Sequence, residues 1–273
     1  MRRIIFMIIA AIFVIYFIYW IYWFFIAGMN VSFVFAAMAK MGNAELKPDG
    51  EFDLKNATAL GKGGVIVAKG GGLVDFIFLL LLLTITFIIE RAITMTQARG
   101  KTPFVKFIFE LRRFVSERKI DDAIELSKKQ GGVFGKLALS GLERYKMLPA
   151  KDDLQRVKGE LKEAFSEQSA IEGALLERRL IAIATIASIA TMTGLLGTVV
   201  GMIRAFAALS AKGRPDPNQL ATGISEALVN TAGGLLTAII SIIFYNFFVN
   251  KVDLFNFQME EITTDVIEEL IRK

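Results

Sequence analysis

The sequence predicts an all-α membrane protein with four transmembrane helices and a helical cytoplasmic domain between spans two and three. Hydrophobic residues make up 54% of its 273 residues, above the roughly 45–50% of an average soluble chain. They are concentrated in long blocks, and charged residues fill the stretches between the blocks. Such blocks are typical of membrane spans, and the third and fourth helices are expected to extend into the cytoplasm.

The chain contains no cysteine and no histidine. Without cysteine there are no disulfides and no thiolate metal sites. Without histidine the chain lacks the commonest general base and the commonest metal ligand. We therefore expect no catalytic residue, no metal site and no cofactor, and an enzyme is the weakest of the functional hypotheses.

The formal net charge of +5 has two explanations. Basic patches can bind a nucleic-acid backbone, but Lys and Arg also mark the cytoplasmic side of membrane proteins. Most of the basic residues lie in the stretch 91–178, and Arg2 and Arg3 precede the first apolar run. This distribution favours the membrane explanation and predicts that both termini are cytoplasmic.

The first predicted span covers residues 1–27, which form an almost unbroken apolar run. About 20 apolar residues suffice to cross a bilayer, whereas the apolar part of a signal peptide has only about 7–15. We predict a retained span, with cleavage as the alternative. Residues 28–72 are predicted to form a periplasmic segment with a Gly-rich, flexible end.

The rest of the chain divides by the same criteria. Between the second and third spans, apolar residues recur at helical spacing, and Gly131 and Gly132 separate the helices. The predicted segments are the second span (73–92), the cytoplasmic helical domain (93–175), the third span (176–211), the fourth span (217–250) and an amphipathic cytoplasmic tail (251–273).

Small residues recur in the last two spans. Gly197, Gly201 and Ala205 repeat every four residues, so that a neighbouring backbone can approach this ridge closely. Gly194 lies on the same helix, and Gly233 and Gly234 on the next one are also expected to pack closely. We predict a helix-packing role for these five glycines.

The fourth span carries polar residues at steps of three and four, among them Glu226 and Asn230. A charge near the middle of a membrane costs about 2.5–3.5 kcal/mol on insertion scales, so Glu226 must be neutralised, hydrated or bound by a partner. Two roles remain open for it: a structural hydrogen bond that joins subunits, and a proton-carrying group. Because two helices cannot enclose a wide polar path, we expect a homo-oligomeric ring or an assembly around another helix.

Two motifs carry a resemblance to a known family. The stretches GLLGTVVGM (194–202) and GISEALVNTAGGLLTAI (223–239) resemble the last two spans of the MotA/TolQ/ExbB proton channel family, most closely those of ExbB and TolQ. The resemblance covers roughly residues 73–250. It implies an inner-membrane homopentamer around an ExbD-like or TolR-like single-span dimer, in which proton flow drives a TonB-like or TolA-like protein.

The resemblance also implies roles for individual residues. Thr198 and Thr231 match two pore-facing threonines of the family, and Glu226 matches its intramembrane glutamate. Asn230 stands where many relatives have a small apolar residue, which makes the expected proton pathway more polar. The titrating aspartate would belong to the partner subunit.

The leading hypothesis is an ExbB-like proton-channel subunit that uses the proton gradient to energise TonB-dependent transport across the outer membrane. A TolQ-like subunit is an alternative within the same class, as is a flagellar-stator-like subunit, since the four predicted spans are similar to MotA. A non-conducting membrane scaffold, assembled through the small-residue faces, is the alternative from a different class.

Overall fold

The computed structural model describes residues 45–46, 52–53, 72–148, 153–210 and 217–272. A short antiparallel pair joins strand β1 (Glu45–Leu46) to strand β2 (Phe52–Asp53). All other elements in the described ranges are helices, which confirms the predicted helical class. They are α1 (Gly72–Ala98), α2 (Phe104–Ser116), α3 (Ile120–Gln130), α4 (Gly132–Met147), α5 (Leu154–Glu177), α6 (Leu180–Ser210) and α7 (Pro217–Ile271).

Three helical stretches among the described residues are long and apolar enough to cross a membrane: Gly72–Ala98, Leu154–Ala207 and Pro217–Ile271. They contain the second, third and fourth predicted spans. The first predicted span, 1–27, lies outside the described residues, as does nearly all of the segment 28–72. A total of four spans therefore stays a prediction.

The chain divides into two compact units, and the first contains the apolar parts of the long helices. It includes α1 as far as Phe87, together with the stretch Ala182–Ile243 of α6 and α7. Leu80 of α1 forms a buried cluster with Ile186 and Ala190 of α6. Apolar side chains also cover the outward surfaces of these helices, which is typical of helices surrounded by lipid or by other helices.

The second unit contains α2–α5 and the remaining parts of the long helices. Its helices are amphipathic, as in α2, where Phe107, Leu111 and Val115 recur every four residues and are buried. Helices α4 and α5 pack closely at Gly141. A Cβ at this position would lie only 2.0 Å from the ring of Phe165, so only glycine fits there. The segment predicted as a cytoplasmic domain falls within this unit, and its cytoplasmic location stays a prediction.

Several breaks separate the helices of the second unit, and two of them are distinguished by their backbone conformation. The first lies at Gly131 and Gly132, whose φ angles of 60° and 62° belong to the left-handed region that glycine readily adopts. The sequence predicted this break. It did not predict the second one, between α5 and α6, where Arg179 has a φ of 73°.

Side chains from α1 hold this second break. Arg91 donates from Nη1 to the carbonyl oxygen of Leu176 at 3.0 Å, near the end of α5. Arg179 donates from Nη1 to Glu90 Oε1 at 2.7 Å. The first contact satisfies a carbonyl group that the interrupted helix leaves without an intrahelical partner, and the second ties the side chain of Arg179 to α1. The third membrane helix consequently begins at Leu180, a few residues after the predicted start at 176.

Helix α7 is continuous over 55 residues, so that one helix covers both the predicted fourth span (217–250) and nearly all of the predicted amphipathic tail (251–273). Pro217 stands in the first turn, where its missing N–H group has no intrahelical role. Near the other end, Ile262, Val266 and Leu270 are buried along one face. The tail is therefore an uninterrupted extension of the fourth membrane helix.

Candidate functional site

Helices α6 and α7 pack against each other along small residues, in a contact that we call the α6–α7 seam. A Cβ built on Gly234 would lie 2.6 Å from the carbonyl oxygen of Ala190, so the backbones touch there. Contacts follow opposite orders along the two helices, which makes the pair antiparallel. The facing pairs are Gly194–Gly234, Gly201–Ala227 and Ala205–Gly223. Such close approach through small residues is how membrane helices commonly associate.

Asn230 lies inside this seam. A Cβ built on Gly197 would lie 2.3 Å from the Cβ of Asn230, and Asn230 is only 1% exposed. Within the subunit its side chain occupies the space that Gly197 leaves open, and the place of Asn230 on a proton pathway stays a prediction. Gly233 faces α1, where its built Cβ would lie 3.4 Å from Ile77.

The two threonines differ in their surroundings. Thr198 donates to the carbonyl oxygen of Leu195 at 2.6 Å and lines a shallow apolar groove with Val199, Met202, Ile203 and Phe206. Thr231 lies within 3.2 Å of two carbonyl oxygens, that of Ala227 on its own helix and that of Gly194 on α6. Thr198 is thus accessible from a groove, whereas Thr231 bridges the two helices.

Glu226 forms an ion pair with Arg204 of α6. Arg204 Nη1 lies 2.5 Å from Glu226 Oε1, with the side chains 53% and 15% exposed, respectively. Arg204 precedes the end of α6 by six residues and Glu226 follows the start of α7 by nine. These offsets correspond to about 9 and 13 Å along the helices. The pair is therefore nearer the end of the hairpin than the middle of the span that the sequence suggested for Glu226.

Within one subunit the two threonines lie away from the ion pair of Arg204 and Glu226. Thr231 follows Glu226 by five residues, which at 3.6 residues per turn places their side chains about 140° apart. Thr198 and Arg204 are six residues apart, or about 120° around α6. The hairpin consequently presents the threonines and the ion pair on different sides.

Sequence reasoning missed three polar residues in this region. It overlooked Arg204, although a charge inside an apolar run is itself a signal of function. Thr84 of α1 shares a buried hydrogen bond with Ser241 of α7, 2.9 Å between the hydroxyl oxygens. Asp75, in the first turn of α1, is 1% exposed, and it interrupts an otherwise apolar stretch in the sequence.

Comparison with known proteins places these residues in a family context. Residues 131–261 match the profile of the MotA/TolQ/ExbB proton channel family, and this range includes Thr198, Glu226, Asn230 and Thr231. The chain is 47% identical over 77 residues to the biopolymer transport protein ExbB of Aquifex aeolicus, covering 28% of this chain and 52% of that protein. It is 45% identical over 71 residues to the Tol-Pal system protein TolQ of Haemophilus influenzae, covering 26% and 31%.

A longer match links the chain to the biopolymer transport protein ExbB of Neisseria gonorrhoeae. The two are 30% identical over 179 residues, which is 63% of this chain and 79% of that relative. The chain spans only about half the length of other curated relatives that it matches, such as the proteins of Aquifex aeolicus and Pseudomonas putida. The length of the Neisseria match and the position of the seam within the family profile establish that this membrane protein belongs to the MotA/TolQ/ExbB proton channel family.

Proposed function

We propose that the chain is an ExbB-like proton-channel subunit of a bacterial inner-membrane motor that energises TonB-dependent transport across the outer membrane. The observation that supports the proposal is the arrangement around the α6–α7 seam, where Thr231 bridges the two helices and Thr198 lies in a groove on α6, both within the region that matches the proton channel family. Hydroxyl groups in such surroundings can hydrogen-bond water or a partner's titrating group and so support proton movement.

The subunit would act as part of a ring. Its α6 groove is apolar except for Thr198, and Val199 and Phe206 in it are more than half exposed. Leu228 of α7 is 63% exposed. In a membrane such surfaces contact lipid or neighbouring helices. We propose a homopentamer whose members contact each other and an enclosed ExbD-like or TolR-like single-span dimer through these faces.

The proposed orientation places the second unit and both termini in the cytoplasm. It is supported by the many Lys and Arg residues between 91 and 178. Several of them pair with carboxylates on the surface of this unit, as in the 2.6 Å contact of Lys129 with Glu125. The residues before α1 would then supply the first span and the periplasmic segment.

A TolQ-like function is the second candidate, because the match to the Haemophilus influenzae TolQ protein is almost as high in identity as that to any ExbB named above. The two candidates differ in the client, which would be TonB-like in one and TolA-like in the other. Complementation of an ExbB-deficient and a TolQ-deficient strain distinguishes them, because only the matching strain should recover its transport or envelope phenotype.

Proton flux tests the proposal directly. The chain is co-purified with a single-span ExbD/TolR-like partner, its oligomer is weighed by native mass spectrometry, and the complex is reconstituted in vesicles with a pH-sensitive dye. We expect flux under an imposed gradient that exceeds the flux of the chain alone. An assembled complex with no flux would instead favour the non-conducting scaffold.

A pair of threonine variants sharpens this test. Thr198→Val removes the hydroxyl in the groove at nearly constant volume and should lower flux without dissociating the ring. Thr191→Val is the matched control on the same helix, because Thr191 also donates to its own helix, at the carbonyl oxygen of Ala187, 3.0 Å away, but does not line the groove. Equal flux in the two variants would show that the hydroxyl group of Thr198 has no specific role in proton transport.

A further inference from the structure

The ion pair of Arg204 and Glu226 lies within a single subunit, on helical stretches that are apolar enough to cross a membrane. Nη1 of Arg204 and Oε1 of Glu226 lie 2.5 Å apart, within hydrogen-bond distance, and a hydrogen bond between charged groups is stronger than one between neutral groups. The guanidinium keeps its proton at any pH that proteins tolerate. Glu226 therefore has a permanent cation beside it.

Few other charges are available in these surroundings. In the described helices of the first unit (72–87, 182–210 and 217–243), Arg204 is the one basic residue, and Asp75 is the one acidic residue besides Glu226. No second cation among these residues can replace Arg204 beside Glu226. Removing either member of a poorly solvated ion pair leaves the other uncompensated, which is more unfavourable than removing both.

Arg204 also has another position open to it. It lies within about 9 Å of the end of α6, and a long basic side chain near a helix end can extend to the polar surface of the membrane. The guanidinium instead contacts Glu226 across the seam. The contact joins α6 to α7 near the end at which residues 211–216 connect them.

We infer that Arg204 is a positioning residue that holds the carboxylate of Glu226 between α6 and α7 through their ion pair. Glu226 then stabilises the hairpin and does not itself take up and release the transported proton. The protons pass on the side that carries Thr198 and Thr231, about 120–140° away around the helices. This inference rests on the proposed function for the transport step and decides which groups of this chain take part in it.

Neutral variants of both residues test the inference. Arg204→Gln and Glu226→Gln each remove one charge, and the double variant removes both while its two amides can still hydrogen-bond. Proton flux is measured for all four proteins in the reconstituted complex with the single-span partner. We expect each single variant to lose about tenfold or more of the flux, and the double variant to recover to within about threefold of wild type.

Two results would overturn the inference. If the double variant is as inactive as Glu226→Gln while native mass spectrometry shows an intact ring, the carboxylate is itself needed for transport. If Arg204→Gln conducts as well as wild type, the ion pair has no positioning role. Arg204→Lys retains the charge and should retain most of the flux, which a role in mere space filling does not predict.

Melting temperatures of the same four proteins separate this inference from the proposed function. If the wild-type complex conducts no protons, the proposed function fails, but a double-mutant cycle still measures the ion pair. A loss in the double variant smaller than the summed single losses supports the pairing, and additive losses overturn it. The exposed pair of Lys146 and Asp121, also 2.5 Å apart, is the control: Lys146→Gln with Asp121→Asn should alter neither flux nor melting temperature.

Discussion

Thr84 and Ser241 join α1 to α7 through a buried hydrogen bond with 2.9 Å between their hydroxyl oxygens. Ser241 also donates to the carbonyl oxygen of Thr237 at 2.8 Å, so Thr84 is the donor in the contact between the helices. Both side chains are fully buried. The bond therefore fixes the rotation of α1 relative to α7 within the apolar unit.

Thr84→Val should lower the stability of the protein in detergent by about 1 kcal/mol, because it removes a hydrogen bond at constant shape. The measurement is the melting temperature at fixed detergent concentration. Thr96→Val is the control, since Thr96 lies on the exposed surface of the same helix and donates to Ala92 of its own backbone. Equal shifts for the two variants would show that the contact contributes nothing specific.

Gly197→Ala should destabilise the hairpin by about 1–3 kcal/mol, because the new methyl group would overlap Asn230 in the seam. Gly159→Ala is a matched control on α5, where a Cβ meets no atom within 4 Å. That control should stabilise the protein by up to about 1 kcal/mol through helix propensity. Both are compared by thermal unfolding, and a neutral Gly197→Ala would mean that the seam is looser than described.

A disulfide across the seam should form within one chain. The natural sequence has no cysteine, so Ala205→Cys with Gly223→Cys introduces the only two thiols. A Cβ at Gly223 would lie 2.9 Å from that of Ala205, slightly closer than the roughly 3.5–4.5 Å of disulfides. After mild oxidation we expect a monomer on non-reducing gels with both thiols protected from alkylation. Disulfide-linked dimers would place this contact between subunits.

Arg118→Ala should loosen the end of α7. Arg118 donates to the carbonyl oxygen of Leu270 at 3.1 Å and also to that of Arg272, so it satisfies groups that a helix C-terminus leaves without partners. We expect faster hydrogen exchange confined to the last turns of α7, equivalent to about 1 kcal/mol. Arg156→Ala, an exposed substitution on α5, should leave this exchange unchanged, and equal exchange in both variants would exclude the capping role.

The three long apolar helices among the described residues could be predicted from the sequence, because each contains an apolar run of about twenty residues. The close packing of α6 is predictable for a similar reason, since Gly197 and Gly201 recur on one face of one helix. The residues that pack against that face cannot be predicted in the same way. Asn230 shares a helical face with Glu226, yet only the register between α6 and α7 determines that Asn230 opposes Gly197 and is buried.

The contact of Arg204 with Glu226 could not be predicted from the sequence either. This contact depends on how α6 and α7 pack together, and the residue spacing within either helix does not reveal it. The break between α5 and α6 is also beyond sequence patterns, because Arg179 adopts a left-handed conformation with no glycine or proline to signal it. Contacts from Arg91 and Glu90, nearly ninety residues earlier in the chain, stabilise that break.

The backbone contact between α6 and α7 has a consequence for motion in a motor. With glycine against glycine at Gly194 and Gly234, rotating either helix by one residue would drive a side chain into the opposing backbone. The hairpin thus lacks a low-energy way to slide or turn internally. In the proposed motor, movement of this subunit would therefore occur at its outer surfaces, with the paired stretches of α6 and α7 moving as one body.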